Sequence, residues 1–357
     1  MPRTALGASN GTTRPLHGSV TSVMAARVLC ARRLAAPLTV SSISRASTSW
    51  AALVEADDSS DRTHVVALKP GVQKIKGIGK VDTAATFSEI PIGDRVEFKQ
   101  KTFVRLPPRL PELRAGMLRR AQTISAKDAG FILARLGIGT GDRILEAGLG
   151  SAGLALHVAR CLGSSGLHVT VEARSDHEEV GLANLQRAHG CWSKESMPAH
   201  VSIHGKRLEE SVDEIVAASG EYDGIILDLP DHKPAIEATA PLLAIGGRLA
   251  CYCPVTSQLE ASWAACEESG LHVEWAGEVI ERQWGRASKG GVRPVNGPFG
   301  HTGFLLVAQR REAQRPLPTP PPAELEVSRG WLERLRAMFV EFPHKGARAA
   351  KFKFNPR

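Results

Sequence analysis

The sequence predicts an α/β fold: a seven-stranded, largely parallel sheet with helices on both faces, preceded by a small β domain. Three observations predict it. From residue 125 short apolar runs alternate with helical stretches, the pattern of strand–helix–strand units. A glycine-rich turn, Gly148 to Gly153, joins the first of those runs to the first helix. Upstream, residues 62–115 hold brief β-rich runs punctuated every few residues by Gly and Pro.

Taken in order, the expected elements begin with His64–Leu68, Gly77–Gly79, Arg95–Phe98 and Thr102–Val104 as short strands of the small domain. Ser125-Ala126-Lys127-Asp128 reads as a helix start, with a capping serine and an early acid. Strand candidates follow at Arg143–Ala147, Leu167–Ala173, Val201–His204, Gly224–Leu229, Gly247–Tyr252, Leu271–Ile280 and Thr302–Ala308. Helices are expected at Leu154–Leu162, Glu178–Ala188 and Ser257–Glu268. No helix separates the last two strands, so they are expected to form an antiparallel edge pair. Residues 116–311 therefore make the larger domain. Residues 312–323 read as a Pro-rich linker, and 324–357 as a helix carrying Trp331, Leu335 and Phe339 on one stripe, then a basic tail.

Charge divides the chain. The formal charge is +8, yet residues 1–54 hold six arginines without an acid and residues 345–357 hold five basic residues without an acid. The middle is left near −3, so affinity for nucleic acid would need local patches rather than overall charge. The Arg- and Ser-rich, acid-free first 54 residues have the composition of a mitochondrial transit peptide, with a plastid, cytoplasmic or nuclear protein as the alternatives. No apolar run approaches the ~20 residues of a membrane span. The six cysteines show no metal-ligand spacing, and Cys251 and Cys253 alternate along a strand as buried thiols would. No metal site is expected.

The chemistry concentrates at the carboxyl ends of the strands. Gly148, Gly150 and Gly153 form G-x-G-x-x-G, a turn that lets a ligand touch backbone just ahead of a helix. Alone it fits NAD, FAD, S-adenosylmethionine or a plain tight turn. Glu146 precedes it and could take an amino group. Glu172 ends the next strand, where a carboxylate can grip two ribose hydroxyls. That pair favours a cofactor bearing adenosine. Asp228 ends the fourth strand in Ile225-Ile226-Leu227-Asp228-Leu229-Pro230 and is expected in the crevice beside the cofactor's reactive end.

Glu146–Gly153, Val171-Glu172-Ala173-Arg174, Leu227-Asp228-Leu229-Pro230, Gly300-His301-Thr302-Gly303 and Arg120–Asp128 together resemble the tRNA adenine-58 N1-methyltransferase family, over roughly residues 65–311. The resemblance implies a Rossmann-like seven-stranded methyltransferase sheet and S-adenosyl-L-methionine as cofactor. It implies N1 of an adenine in tRNA as the methyl acceptor, and a homotetramer or a heterotetramer with a related non-catalytic subunit. By position it implies Asp228 as the catalytic carboxylate. Cofactor contacts would come from Glu146, Gly148, Gly150, Ser151, Ala152, Gly153, Leu154, Glu172, His177, Lys206 and Asp228. His301 would be structural or substrate-adjacent. This sequence departs from the family at Leu149 and Ala152, usually Thr and Gly, at Gly205-Lys206-Arg207, and at Asp231-His232-Lys233.

RNA contact is expected from two basic clusters. One joins the domains, with Arg105, Arg109, Arg114, Arg119, Arg120 and Lys127. The other, Arg282, Arg286, Lys289 and Arg293 around Trp284, lies between the last two strands. Three alternatives stay open: the same fold acting on rRNA, a protein carboxylate or a small molecule; a non-catalytic tRNA-binding partner; and a nicotinamide-dependent dehydrogenase.

Overall fold

The computed structural model describes residues 49–56, 62–192, 196–295 and 300–312. The expected transit segment before Ser49, the linker beyond Glu312 and the C-terminal helix and tail lie outside the described residues.

A four-stranded antiparallel sheet comes first, in the order β2 (Thr63–Ala67), β1 (Trp50–Glu55), β6 (Lys101–Leu106), β5 (Arg95–Phe98). β1 corrects the expectation that everything through residue 54 stands apart from the fold. It is an interior strand, and Ala51, Ala52 and Leu53 are fully buried. Its apolar run is short and follows a long acid-free stretch, so composition outweighed pattern. A hairpin of β3 (Val72–Ile75) and β4 (Gly79–Asp82) turns at Lys76–Ile78. The expected strand at 77–79 is thus mostly its tip. Short α1 (Thr83–Phe87) and α2 (Leu110–Ala115) complete this region.

The chain then enters α3 (Ala126–Leu136), capped by Ser125, whose hydroxyl accepts from the Asp128 amide at 3.3 Å. It ends at Gly137 in the left-handed region. Alternation follows: β7 (Arg143–Ala147), α4 (Ala155–Leu162), β8 (Leu167–Glu172), α5 (Ser175–Cys191), β9 (Ala199–His204), α6 (Val212–Ala218), β10 (Tyr222–Leu227), α7 (Lys233–Thr239), β11 (Leu243–Cys253), α8 (Thr256–Glu268) and β12 (His272–Gly277). A small hairpin, β13 (Trp284–Arg286) with β14 (Val292–Pro294), precedes β15 (Phe304–Gln309).

The seven strands of the larger sheet stand in the order β12-β15-β11-β10-β7-β8-β9. β7 to β11 pair in parallel, while β15 runs antiparallel to both β11 and β12. The last two strands do pair, but only β12 lies at the edge. With no crossover helix among the described residues to carry the chain back to the starting end, β15 runs antiparallel, and it takes the place between β11 and β12.

Alternation along each strand sends side chains to opposite faces. Ile144, Ile226 and Ala250 meet α3 and α4 on one face. Leu145, Ile225, Leu249 and Cys251 meet α7 and α8 on the other. A third cluster joins the two regions, with Ala52 and Val65 of the small sheet packed with Leu149, Ala152 and Ala155. The small sheet therefore rests on the glycine-rich turn.

Leu53 is fully buried among Phe87, Phe103 and Val66. Leu53→Ala is expected to cost about 2–4 kcal/mol, read from the urea midpoint. A loss below about 1 kcal/mol would remove β1 from the core.

Candidate active site

β8 and β9 lie on one side of β7, and β10 and β11 on the other. The loops leaving β7 and β10 therefore diverge and open a crevice at the strands' carboxyl ends. Ala147 and Leu227, the last residues of the two strands, are partners across the ladder. The next amide, that of Asp228, donates to the Ala147 carbonyl at 2.9 Å, and the Gly148 amide donates to the Val171 carbonyl at 2.9 Å. Gly148 has φ +91°, and a Cβ there would stand 2.2 Å from the Asp228 carbonyl oxygen. Only glycine allows that approach. The glycine turn and the Asp228 segment are thus one piece of structure.

Two adjoining cavities fill the crevice. One of about 470 Å³ is lined by Glu146, Gly148, Leu149, Gly150, Ser151, Gly153, Leu154, Glu172, His177 and Asp228 among others. The other, of about 550 Å³, shares Gly148, Glu172 and Asp228 and adds Lys206, Arg207 and Asp231. Of the expected cofactor residues, Ala152 alone lines neither. It is fully buried at φ +61°, a left-handed backbone at a non-glycine residue, with its methyl packed in the third cluster. Lys206 lines the second cavity, but its ammonium pairs with Glu214 of α6. A larger cavity of about 800 Å³, between the small sheet and α5, has no carboxylate in its lining.

Three carboxylates meet at the first cavity, each held differently. Glu172 accepts from the Gly150 amide at 2.9 Å through one oxygen and from the Arg174 amide at 3.0 Å through the other. Each oxygen keeps a lone pair free for a ribose hydroxyl. Glu146 accepts from His168 Nε2 at 2.9 Å. Asp228 has its carboxyl pushed up to about 7 by burial, then by the charges of Glu146 and Glu172, with Arg174 opposing. His177 lines the same cavity, its Nδ1 accepting from Arg174 at 2.8 Å.

Such a site favours a cation. S-adenosylmethionine carries two positive centres, an ammonium and a sulfonium, on an adenosine. The donor set fits it: Glu172 for the vicinal hydroxyls, Glu146 for the ammonium, and backbone exposed by Gly148 and Gly150 between them.

Other residues hold the walls without any motif to announce them. Asn184, buried on α5, donates to the carbonyls of Leu118 (2.8 Å) and Ser151 (3.0 Å) and accepts from the Leu118 amide. The Ser151 hydroxyl accepts from the Arg120 and Ala121 amides, both at 3.0 Å. Together they pin the segment that brings Ala121–Ile124 to the cavity. Gln258 donates to the Pro230 carbonyl at 2.9 Å, tying the β11–α8 turn to the loop after Asp228. A polar asparagine among the apolar positions of a helix was the one available signal for Asn184. His301 clamps the outer wall, with Nδ1 2.9 Å from Glu278 and Nε2 3.1 Å from the Pro254 carbonyl. Both partners accept only, so the geometry favours the doubly protonated ring, and the Glu278 bond raises the imidazole above its usual range.

The first basic cluster needs correction. Arg105 is buried and donates to the carbonyls of Ser88 and Ile90. Arg114 bonds His157 at 2.5 Å and the Ile124 carbonyl at 2.9 Å. Lys127 is held by Asp128, the Val279 carbonyl and Thr302. These three cations serve the fold. Arg109, Arg119 and Arg120 are exposed, Arg120 pairing with Asp176 at 2.9 Å. Arg282, Arg286 and Arg293 are exposed around the β13–β14 hairpin beside Trp284.

A family model described as tRNA methyltransferase complex GCD14 subunit matches residues 102–289. The chain belongs to this family. The tRNA (adenine(57)-N(1)/adenine(58)-N(1))-methyltransferase TrmI of Methanocaldococcus jannaschii is 30% identical over 229 residues, 59% of this chain and 79% of that protein. A tRNA (adenine(58)-N(1))-methyltransferase TrmI of Thermus thermophilus is 35% identical over 212 residues, 58% of this chain and 76% of that protein. Among solved structures, a SAM-dependent O-methyltransferase from Thermotoga maritima superposes with TM-score 0.60 at 25% identity, covering 75% of this chain and 95% of that one. The family match spans the glycine turn, Glu172 and Asp228, so the crevice lies within the matched region.

Asp228 also bears on stability. Its carboxyl is raised from 3.8 to about 7 in the folded protein, so the fold binds that proton more tightly than the unfolded chain does. Its contribution is complete below about pH 4 and is lost as pH rises toward about 7. Without cofactor, Asp228→Asn is therefore expected to melt above the wild type at pH 8, by about 2–4 °C per kcal/mol recovered. The gap should close toward pH 4, and equal melting at both pH values would refute the raised carboxyl.

Proposed function

We propose that the protein is a methyltransferase that moves a methyl group from S-adenosylmethionine to N1 of adenine 58 in tRNA. One observation carries the reading: the Asp228 backbone is docked on the Gly148 turn, which sets an acid beside a cofactor cradle in one crevice. The family match and the relatives' activities supply the substrate. The dehydrogenase alternative does not account for the three carboxylates. The non-catalytic alternative does not account for an intact glycine turn with an acid against it.

Bound S-adenosylmethionine supplies an electrophilic methyl group on a sulfonium. The chain's own residues do the rest. Glu172 would hold the ribose hydroxyls and Glu146 the ammonium, with Gly148 and Asp228 lining the same cavity. N1 is hidden in folded tRNA, so the base must leave its stack to reach the crevice. There the ionised Asp228 accepts a hydrogen bond from the exocyclic N6 amino group and raises electron density at N1. Positive charge that develops on the ring then falls beside that carboxylate. Pro230, Pro254 and Gln258 wall the same cavity and restrict the ring to an in-line approach.

Arg109, Arg119 and Arg120 in one cluster and Arg282, Arg286 and Arg293 in the other would hold the tRNA backbone, as their exposure permits. The family's description names a complex, which supports assembly with further copies or with a related non-catalytic subunit. The acid-free, arginine-bearing N-terminus supports delivery to mitochondria. A leader would have to end before Trp50, because removing β1 cuts the small sheet through its middle.

Mapping N1-methyladenosine in organellar and cytosolic tRNA after gene deletion tests substrate and compartment together. Loss of the mark at position 58 in mitochondrial tRNA is expected, and an unchanged map rejects the reading. Asp228→Ala should lower turnover by about 10²–10³-fold while S-adenosylmethionine still binds. Near-normal methylation would dismiss Asp228 as the catalytic carboxylate. For the arginines, each replacement by Gln should reduce the salt slope of tRNA affinity by about 1. A slope unchanged after replacing Arg282, Arg286 and Arg293 together would exclude the hairpin from the interface.

A further inference from the structure

Glu146 is buried, and its one side-chain hydrogen-bond partner among the described residues is His168. β7 and β8 are parallel neighbours, with Ile144 opposite His168 and Glu146 opposite Thr170. Side chains two apart on a strand share a face, so Glu146 and His168 lie diagonally on one face of the sheet. The side chains are 3% and 1% exposed, and the contact is 2.9 Å. A carboxylate only accepts, so Nε2 carries the proton and donates it. Nδ1 is buried with no hydrogen-bond partner.

His168 does not line either cavity of the crevice. It lines a separate small cavity of about 190 Å³ with Gln186, His189 and His200. The imidazole therefore reaches the crevice only through Glu146, which does line it. A glutamate has three rotatable side-chain bonds, and one buried donor behind it selects a rotamer. With one oxygen held by Nε2, the other is left for a ligand.

We infer that His168 is a positioning residue that fixes Glu146 so that its free oxygen meets the ammonium of the cofactor's amino-acid arm. The inference rests on the proposed cofactor but adds a determinant outside the glycine turn. Affinity for the amino-acid arm then depends on a histidine that never touches the ligand. The unpartnered Nδ1 fits this role. Among the described residues nothing but the Glu146 bond ties the ring's nitrogens to the protein, so the ring's polar function is that bond.

Ligands that differ in the arm separate this role from a merely structural one. S-adenosylhomocysteine carries the amino-acid arm, and 5′-methylthioadenosine lacks it. Calorimetric titration of the full chain with each should show His168→Val weakening S-adenosylhomocysteine by about tenfold or more. The same variant should change 5′-methylthioadenosine by less than about twofold. His168→Gln keeps an N–H donor and should restore most of the lost affinity. Adding His168→Val to Glu146→Gln should cost nothing further for S-adenosylhomocysteine, because the two act as one unit. Equal weakening of both ligands, failure of His168→Gln to rescue, or additive losses in the double variant would each overturn the assignment. Wild-type protein that binds neither ligand would reject the cofactor itself, a result distinct from any of these.

Discussion

The structure depends on one close approach, the glycine turn after β7 against the backbone that leaves β10. Two strands that end side by side at a reversal of sheet order must send their loops apart. Here the loops also touch, because Gly148 has no Cβ to meet the Asp228 carbonyl and the Asp228 amide closes on Ala147. The contact fixes how far the carboxylate stands from whatever lies along the turn. A side chain at 148 would displace Asp228 backbone, not merely crowd a ligand, so cradle and acid would be lost together.

That geometry sets the electrostatics. Glu146, Glu172 and Asp228 are brought to one cavity by three strand ends, and desolvation with mutual repulsion lifts Asp228 far above an ordinary carboxyl. An arrangement of this kind is unfavourable to an apo fold and favourable to a cationic ligand. Two of the three acids are steadied from within. Backbone amides of Gly150 and Arg174 hold Glu172, and a buried imidazole holds Glu146. Asp228 has no such donor to its carboxylate among the described residues. It is the acid left to respond to what enters, as the role proposed for it requires.

Much of this was legible in the sequence, and the parts that were share a property. Gly148–Gly153, Glu172 and Asp228 sit at strand ends, where residue type and spacing follow from local backbone demands. The alternation of β7 through β11 was readable for the same reason. What stayed hidden depends on partners distant in sequence. β1 is a short apolar run whose status comes from pairing with β2 and β6. Arg105, Arg114 and Lys127 looked like a nucleic-acid patch because charge is visible in a sequence and burial is not. His168 and Asn184 carry no motif. Each matters only through a group distant in the chain.

Leu149 joins these two kinds of information. In the turn it is a departure from the family's usual threonine, a small puzzle for loop geometry. In the fold it is 3% exposed and packs with Ala52, Val65 and Leu113. A larger apolar side chain at that point gives the small sheet a hold on the cofactor cradle itself, and Ala152 extends the hold with its methyl. Backbone freedom in the turn is then limited from outside the domain that forms it. The small sheet is in this sense part of the site without lining the crevice, because loosening it would loosen Gly148 and Gly150 against Glu172. The packing of Leu149, Ala152 and Ala155 on Ala52 and Val65 thus joins the N-terminal sheet to the turn that lines the crevice.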